Sequence, residues 1–338
     1  MNILLTGGTG YIASHTAVVL TMAGHKVVLY DNLMNSNAAV VGKLEKITGT
    51  KLPFINGDIR DTALLASCLK TYDVQAIIHF AGLKAVGESV QKPLEYYDNN
   101  VGGTISLLQA MTEVGIKQLV FSSSATVYGD PQYLPIDEDH PRSATNPYGR
   151  TKLQIEYILQ DLAASDPSWR IACLRYFNPV GAHDSGLIGE DPNGLPNNLM
   201  PFLARVAAGK IPCLNVYGND YETPDGTGVR DYIHVMDLAE GHLAALVALN
   251  SNGLPFDAFN LGTGTGRSVL EMVRSFESVI GRSINKQFAA RRAGDVAQCF
   301  ANADKAQRAL AWVASRSLNE MCQSTWNFQL IEGRGSEL

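Results

Sequence analysis

A tyrosine and a lysine spaced four residues apart are the residues of this sequence best placed to do chemistry. Tyr148 and Lys152 occur in the segment Asn-Pro-Tyr-Gly-Arg-Thr-Lys, and residues i and i+4 share one face of a helix. A phenol has an ordinary pKa of about 10, and a neighbouring ammonium group favours its ionised form. The pair therefore predicts a base that takes a proton from a hydroxyl group. In isolation the same spacing occurs by chance on solvated helices, so its meaning depends on the elements around it.

The start of the chain has the pattern of a nucleotide-binding turn. Met1–Leu5 is an apolar run typical of a buried parallel strand, and Thr-Gly-Gly-Thr-Gly and a helical pattern follow it. Gly7 permits a tight turn, and Gly10 lets backbone N–H groups approach a pyrophosphate at the helix N-terminus. Asp31 ends the next strand about 20 residues later, where a carboxylate can bind a ribose 2′-OH. Because a carboxylate repels a 2′-phosphate, we expect NAD rather than NADP.

Composition indicates an ordinary globular protein. The chain has 338 residues, of which 46% are hydrophobic and 18% charged, and this length favours two domains. The net charge of −6 argues against a nucleic-acid partner or a membrane surface. The N-terminus enters a strand directly, so we expect no signal peptide or membrane span. Scattered cysteines without metal-ligand spacing predict reduced thiols in the cytoplasm and no metal site. They are Cys68, Cys173, Cys213, Cys299 and Cys322.

Apolar runs and helical patterns alternate through the first half of the chain. This alternation predicts an α/β fold, a Rossmann-type doubly wound parallel sheet, whose ligands bind where the strands end. The predicted strands are Ile3–Leu5, Lys26–Tyr30, Leu52–Asn56, Ala76–His79, Gln118–Ser122 and Arg170–Tyr176. The predicted helices between them are Ser14–Ala23, Thr62–Thr71, Pro93–Val114 and Tyr148–Ser165.

The texture changes after about residue 178. We expect an NAD-binding domain over 1–178 and a smaller mixed α/β substrate domain over 179–330, with some chain returning to the first domain around Arg230–Leu249. Within the second part, Leu199–Ala208 reads as a short helix and Gly218–Gly228 as a polar loop. Residues 331–338 read as a polar tail, in which Ile-Glu-Gly-Arg also matches a protease site used in expression vectors.

Several longer segments resemble the UDP-galactose 4-epimerases of the extended short-chain dehydrogenase/reductase family, over about residues 1–328. The run from His79 to Val101 is specific to this group, whereas Tyr-x-x-x-Lys marks only the wider superfamily. The other matching segments are Thr6–Ile12, Asp31-Asn32, Gly57–Arg60, Ser122–Gly129, Asn146–Lys152, Arg175–Ala182, Pro196–Pro201 and Gly226–Leu238.

The resemblance implies positions for the catalytic groups and both ligands. Tyr148, Lys152 and Ser124 would be catalytic, and the substrate would be a UDP-sugar. The NAD site would comprise Gly7, Gly10, Tyr11, Ile12, Asp31, Asn32, Asn35, Ser36, Asp58, Ile59, Phe80, Ala81, Gly82, Lys84, Asn99, Ser122 and Phe177. The UDP-sugar site would comprise Asn178, Asn197, Asn198, Leu199, Asn215, Tyr217, Arg230, Tyr232, Arg292, Asp295 and Cys299.

Two positions depart from the family pattern. Ala13 replaces the usual third glycine of the fingerprint, a substitution that close helix–strand packing accepts. Cys299 stands where many bacterial relatives have a tyrosine beside the sugar, and by resemblance a small residue there accompanies acceptance of N-acetylated sugars. A buried thiol acting as a small hydrophobic group is the plainer interpretation of Cys299.

Three other functions remain open. A nucleotide-sugar 4,6-dehydratase would need an acidic pair after Ser124, where this chain has Ala125 and Thr126. A UDP-glucuronate decarboxylase would need a basic group for the C6 carboxylate, which we do not identify. The third is a non-catalytic NAD-binding scaffold, and the intact Ser124, Tyr148 and Lys152 argue against it. By resemblance we expect a homodimer formed through helices in Pro93–Val114 and Tyr148–Ser165.

Overall fold

Seven parallel strands form the main sheet of the computed structural model, which describes residues 1–192, 194–251, 253, 255–292 and 294–335. The sheet has the order β10-β6-β5-β4-β1-β2-β3. Strands β2 and β3 therefore lie on one side of β1 and the later strands on the other, so the strand order reverses between β1 and β4. In such sheets ligands bind at this reversal, beyond the carboxyl ends of the strands. The strands are β1 (Asn2–Thr6), β2 (Lys26–Asp31), β3 (Phe54–Asn56), β4 (Ala76–His79), β5 (Gln118–Ser124), β6 (Arg170–Tyr176) and β10 (Phe256–Leu261).

Helices cover both faces of this sheet. One face packs against α1, α2, α9 and α11, and the other against α3, α6 and α7, each through a separate buried apolar cluster. Because both faces are covered, β1 and β2 are buried along almost their whole length. These helices are α1 (Tyr11–Met22), α2 (Ala39–Thr48), α3 (Thr62–Thr71), α6 (Gly103–Val114), α7 (Pro147–Ser165), α9 (Val235–Ser251) and α11 (Asp304–Leu310). The predicted doubly wound α/β fold is confirmed.

A third apolar cluster forms the core of a smaller α/β unit. Its strands include a parallel pair, β8 with β12, and a small mixed sheet in which β7, β11 and β13 all pair with β9. The strands are β7 (Asn178–Val180), β8 (Leu214–Tyr217), β9 (Val229–His234), β11 (Gly266–Ser268), β12 (Lys286–Ala289) and β13 (Gln298–Cys299). The helices are α8 (Leu199–Ala207), α10 (Val269–Ile280) and α12 (Leu318–Gly335).

The chain returns from the small unit to the main sheet through α9 and β10. β10 pairs in parallel with β6 over six residues, and α9 contributes Leu238, Ala245 and Leu246 to the core beside α1. The sequence pattern indicated a return around Arg230–Leu249 but not the seventh strand. The two-domain division at residue 178 stays our proposal, and residues 336–338 of the expected tail lie outside the described residues.

The predicted helix Pro93–Val114 is wrong in its middle. Short helices α4 (Val86–Gln91) and α5 (Pro93–Tyr96) are followed by a π-helical turn, Tyr97–Gly102, and only then by α6. Gly103 explains the close packing at this point, because a Cβ atom on it would lie 2.4 Å from the Ile59 side chain. A π turn inside a helix is frequent at functional sites, and this one contains Asn99 and Asn100.

Candidate active site

The glycine turn between β1 and α1 lies against the loop that follows β4. Gly7 has a φ of +66°, and a Cβ atom on it would come 2.8 Å from the backbone nitrogen of Ala81. Gly10 precedes α1 and has no side chain with which to cap the helix. The first N–H groups of α1, from Tyr11 and Ile12 onward, are therefore suited to an anion.

Asp31 joins this turn to the loop after β2. Its Oδ2 atom accepts a hydrogen bond from the N–H of Thr9 at 3.2 Å, and its Oδ1 atom accepts from the N–H of Leu33 at 2.8 Å and from Ser36 Oγ at 3.0 Å. The residue is 8% exposed. A carboxylate accepts about four hydrogen bonds, so Asp31 retains capacity for a ribose hydroxyl. Asn35, on the same loop, is exposed.

Asp58 and Asn32 line the same edge of the sheet. Asn32 Nδ2 donates to Asp58 Oδ2 at 3.2 Å, and the Tyr30 hydroxyl donates to the Asp58 carbonyl oxygen at 2.8 Å. Hydrogen bonds from Arg60 hold the pKa of the Asp58 carboxyl well below its usual range. Ile59, next in the chain, is buried. These contacts fix the loops after β2 and β3 side by side.

The loop after β4 brings Gly82 next to the predicted catalytic lysine. A Cβ atom on Gly82 would lie 3.2 Å from Asn100 Oδ1 and 3.8 Å from Lys152 Nζ. Asn99 Nδ2 donates to the same Asn100 oxygen at 3.0 Å. The Phe80 ring packs against a histidine of α9 at a centroid distance of 4.7 Å. The structure thus brings this part of the predicted NAD site to the predicted catalytic centre.

Lys152 is buried between α7 and β5. Asn146 caps α7 by accepting a hydrogen bond from the N–H of Gly149 at 2.9 Å, so Tyr148 and Lys152 lie on consecutive turns. Lys152 Nζ donates to the Ser122 carbonyl oxygen at 2.7 Å. Burial lowers the pKa of Lys152 to about 8. The lysine is therefore held by the strand end rather than by the phenol.

Ser124 and Tyr148 form the other half of the centre. Ser124 Oγ accepts hydrogen bonds from the Thr126 N–H at 3.2 Å and from Thr126 Oγ1 at 3.0 Å. Burial raises the pKa of Tyr148, and the nearby Ser124 hydroxyl opposes this rise. The expected lowering of the Tyr148 pKa by Lys152 is wrong for the chain's own groups, because burial outweighs them.

The first group of predicted substrate residues lies on three neighbouring strands. Asn178 of β7 pairs with Tyr232 of β9, and Cys299 of β13 pairs with Arg230 of β9. Cys299 packs against a small apolar cluster that contains Phe177. Burial raises the pKa of the Cys299 thiol to about 11, and the Arg230 charge opposes this rise.

A second group carries two aromatic rings and an exposed arginine. The guanidinium carbon of Arg292 lies 4.9 Å from the ring centroid of Tyr217, and Arg292 Nε donates to Asp295 Oδ2 at 2.8 Å. Burial raises the pKa of Tyr232 to about 12, and the charges of Arg230 and Arg292 both oppose this rise. Arg230 and Arg292 therefore both lie near Tyr232, and Asn215 lies two residues before Tyr217 on β8.

The third group begins α8. Asn197 and Asn198 are exposed and Leu199 is half-buried. Asn198 Nδ2 donates to Glu190 Oε1 at 2.7 Å, and Lys84 Nζ donates to the same oxygen at 3.3 Å. Glu190 thus joins a predicted substrate residue to a predicted NAD residue, although the sequence analysis did not identify it. Burial raises the pKa of the Tyr11 hydroxyl, and the nearby Glu190 charge adds to this rise.

The sequence analysis also missed two buried charged residues beside Lys152. Glu156 and Arg175 form an ion pair at 2.7 Å, with 0% and 3% of their side chains exposed. Glu156 could have been found, because it follows Lys152 by four residues on the same helix. Nothing local in the sequence marks Arg175 as its partner.

The residues at the sheet edge fit an NAD molecule. The turn at Gly7 leaves no room for a side chain against the loop after β4, and Asp31 has spare hydrogen-bonding capacity beside the first turn of α1. In the described part of the chain, no group of three or more His, Cys, Asp or Glu side chains could hold a metal ion. Over the same residues, no helix is long and apolar enough to cross a membrane.

Known proteins match this chain along almost its entire length. A family model described as GDP-mannose 4,6 dehydratase matches residues 4–325. The UDP-glucose 4-epimerase of Bacillus subtilis is 58% identical over 330 residues, which cover 97% of each chain. Together they place the chain in a group of enzymes that act on nucleotide sugars.

Solved structures narrow this assignment. The UDP-glucose 4-epimerase from Stenotrophomonas maltophila, with bound NAD and formylated UDP-arabinopyranose, has a TM-score of 0.97 and 50% identity, with 99% of both chains covered. The enzyme from Bifidobacterium longum, in complex with NAD+ and UDP, has a TM-score of 0.95 and 49% identity, over 99% of this chain and 100% of that one. This chain belongs to the UDP-glucose 4-epimerase family.

Proposed function

We propose that the protein is an NAD-dependent isomerase that interconverts UDP-galactose and UDP-glucose by inverting carbon 4 of the sugar. The observation that carries the proposal is the meeting of Ser124, Tyr148 and Lys152 at the edge of the main sheet, beside the loop after β4. Family membership supports the same activity, since solved structures with this name hold NAD together with a UDP-sugar in one case and with UDP in another.

The roles of the chain's own groups follow from their contacts. Tyr148, ionised, takes the proton of the sugar 4-hydroxyl, and Ser124 hydrogen-bonds the same oxygen and relays the proton. NAD bound at the sheet edge would supply the acceptor for the hydride of C4 and would return it to the opposite face of the 4-keto sugar. Burial raises the pKa of Tyr148 in the chain alone, and the charges of Lys152 and of oxidised nicotinamide would oppose this rise. Because NAD is regenerated in each cycle, it stays bound.

The grip on the substrate belongs to the UDP half. Arg230 and Arg292 both lie near Tyr232. Their guanidinium groups can bind a diphosphate through charge-assisted hydrogen bonds. Tyr217, 39% exposed, offers an aromatic face to the uracil ring. The N-terminus of α8, beginning at Asn198, adds backbone N–H groups. The sugar itself is held loosely, because the keto intermediate must rotate within the site to present its opposite face.

A labelling experiment separates this activity from the dehydratase alternative. We incubate the protein with UDP-galactose in D2O and analyse the products by NMR. The proposal predicts UDP-glucose whose C4 hydrogen comes from the substrate, because the hydride never leaves the site. A 4-keto-6-deoxy product would indicate a 4,6-dehydratase, for which Ala125 and Thr126 supply no acid. A lack of any product would favour the non-catalytic scaffold.

The smaller side chain at position 299 extends the proposal to N-acetylated sugars. Cys299 pairs with Arg230 of β9, and Asn178 pairs with the same strand two residues further on. Cys299 also packs against the apolar cluster that contains Phe177. A cysteine occupies much less space there than a tyrosine, so an N-acetyl group at C2 can be accommodated. We therefore include UDP-N-acetylgalactosamine and UDP-N-acetylglucosamine among the substrates.

Assembly and location complete the proposal. Apolar side chains on the helices around α6 and α7 are exposed, with Val90 62%, Leu94 82%, Ile105 41% and Tyr157 44% accessible. Pairing of two copies through these helices would cover them, so we propose a homodimer. The cysteines are free thiols and three of them are buried, which is consistent with the reducing cytoplasm.

A further inference from the structure

A buried carboxylate ties the helix of Lys152 to the strand of Ser124. Glu156 Oε1 accepts a hydrogen bond from Ser123 Oγ at 2.6 Å and from Arg175 Nε at 3.0 Å. Its Oε2 atom accepts from Arg175 at 2.7 Å and from Arg142 at 3.3 Å. Every contact of this carboxylate therefore joins α7 to another element.

Both ends of the catalytic centre adjoin these contacts. On α7, Glu156 follows Lys152 by one turn, and their side chains share a face. On β5, Ser123 stands between Ser122, whose carbonyl oxygen accepts a hydrogen bond from Lys152, and Ser124, whose hydroxyl lies near Tyr148. Because side chains alternate along a strand, Ser123 points to the face opposite its two neighbours. The residue that the Glu156 carboxylate binds, Ser123, is thus the direct chain neighbour of both serines that lie beside the predicted catalytic side chains.

We propose that Glu156 is a positioning residue of the 4-epimerase centre, which fixes the end of β5 through Ser123 and places a negative charge one helical turn from Lys152. The inference rests on the proposed function, because only that function gives Lys152 a charge-dependent role. Glu156 does not touch substrate or cofactor and acts through its neighbours.

The charges around Lys152 support this role. Burial lowers the lysine's pKa, and the nearby negative charge of Glu156 opposes that lowering. The positive charge of Arg175 is buried in the same region and is balanced by Glu156. Glu156 on α7, Cys173 on β6 and His79 on β4 interact electrostatically with Lys152, and Arg175 on β6 pairs with Glu156.

A purely structural role is the alternative. Arg175 donates to the Tyr128 hydroxyl at 2.9 Å, and Tyr128 donates to Asn260 Oδ1 at 2.7 Å, so the ion pair also anchors the loop after β5 to β10. Loss of Glu156 would then lower stability without changing how activity depends on pH. The pH profile separates the two roles.

The test compares kcat for UDP-galactose across pH 6 to 10, using the full chain with its bound NAD. In the parent, activity falls as the pH rises past about 8, where Lys152 loses its proton. In Glu156→Gln this fall is expected about one pH unit lower, because Lys152 loses a nearby negative charge. The KM is expected to stay unchanged. Well above pH 8 the variant's kcat is then about tenfold lower than the parent's.

Two further variants cover the case in which Glu156→Gln does not fold. Glu156→Gln with Arg175→Met removes both buried charges, so the fall in activity is expected to shift in the same direction as in Glu156→Gln but by less. Ser123→Ala retains both charges and is expected to lower kcat with the alkaline fall unmoved. Asp237→Asn is the matched control, because Asp237 on α9 carries a fully buried carboxylate that pairs with Arg316 outside the site. It is expected to lose stability but to keep the parent's profile.

The outcomes are distinct. The inference is supported if the alkaline fall in kcat moves to lower pH in either Glu156 variant and stays in place in Asp237→Asn, and if Ser123→Ala has a lower kcat. An unmoved fall in the Glu156 variants overturns it, as does an equal shift in the control or a parent-like kcat in Ser123→Ala. If the parent itself is inactive at every pH, the proposed function fails and takes the inference with it.

Discussion

Replacing Cys299 by tyrosine tests the proposed sugar specificity. The side chain is half-buried, packs against the apolar cluster that contains Phe177, and its backbone pairs with Arg230. A phenol ring would fill the space that an N-acetyl group is proposed to use. A misfit of about one methylene costs about 1–3 kcal/mol, or roughly 10–200-fold in discrimination. We therefore expect Cys299→Tyr to lower activity on UDP-N-acetylgalactosamine by at least about tenfold relative to UDP-galactose.

The assay measures kcat/KM for both substrates with parent and variant, and converts each ratio to a difference in activation free energy. Cys299→Ala is the matched control, because it removes the thiol but keeps the space, and both activities should persist in it. An equal loss on the two substrates in Cys299→Tyr would refute the reasoning, since overpacking that disturbs the whole site affects both alike.

Three other substitutions separate the roles within the site. Tyr148→Phe is expected to lower kcat by about 10²–10⁴-fold with little change in KM, whereas Tyr157→Phe, on the exposed side of the same helix, should leave steady-state kinetics intact. Arg292→Ala is expected to raise KM with kcat nearly unchanged, and an unchanged KM would remove the residue from the diphosphate grip. Gly7→Ala should reduce the NAD that co-purifies, measured by absorbance after denaturation, because its φ is +66° and its Cβ would meet Ala81 at 2.8 Å. Full NAD content in that variant would contradict the proposed path of the cofactor.

Local patterns predicted most of the main sheet. Buried parallel strands are apolar runs bounded by turns, so the six strands from β1 to β6 all appear close to their expected bounds. β10 was missed because its segment Phe-Asp-Ala-Phe-Asn-Leu carries two polar residues. Their partners, such as the Lys305 that contacts Asp257 and the Tyr128 that bonds Asn260, come from distant parts of the chain. A pattern in one segment does not contain such long-range contacts.

The site shows the same limit at the level of chemistry. The types and order of Tyr148 and Lys152 were readable, and the helix places them on consecutive turns as expected. The direction of the Tyr148 pKa shift was not readable, because it depends on burial and on Lys152 donating to Ser122 instead of to the phenol. Glu190 was missed for a similar reason, since its two partners approach from separate loops.

Incubation of the purified protein with UDP-galactose, without added NAD, tests the central claim most directly. The product is separated from the substrate and identified as the 4-epimer. The account predicts conversion to UDP-glucose, because NAD stays bound through purification and is regenerated in each turnover. Failure to convert UDP-galactose even when NAD is supplied would contradict it.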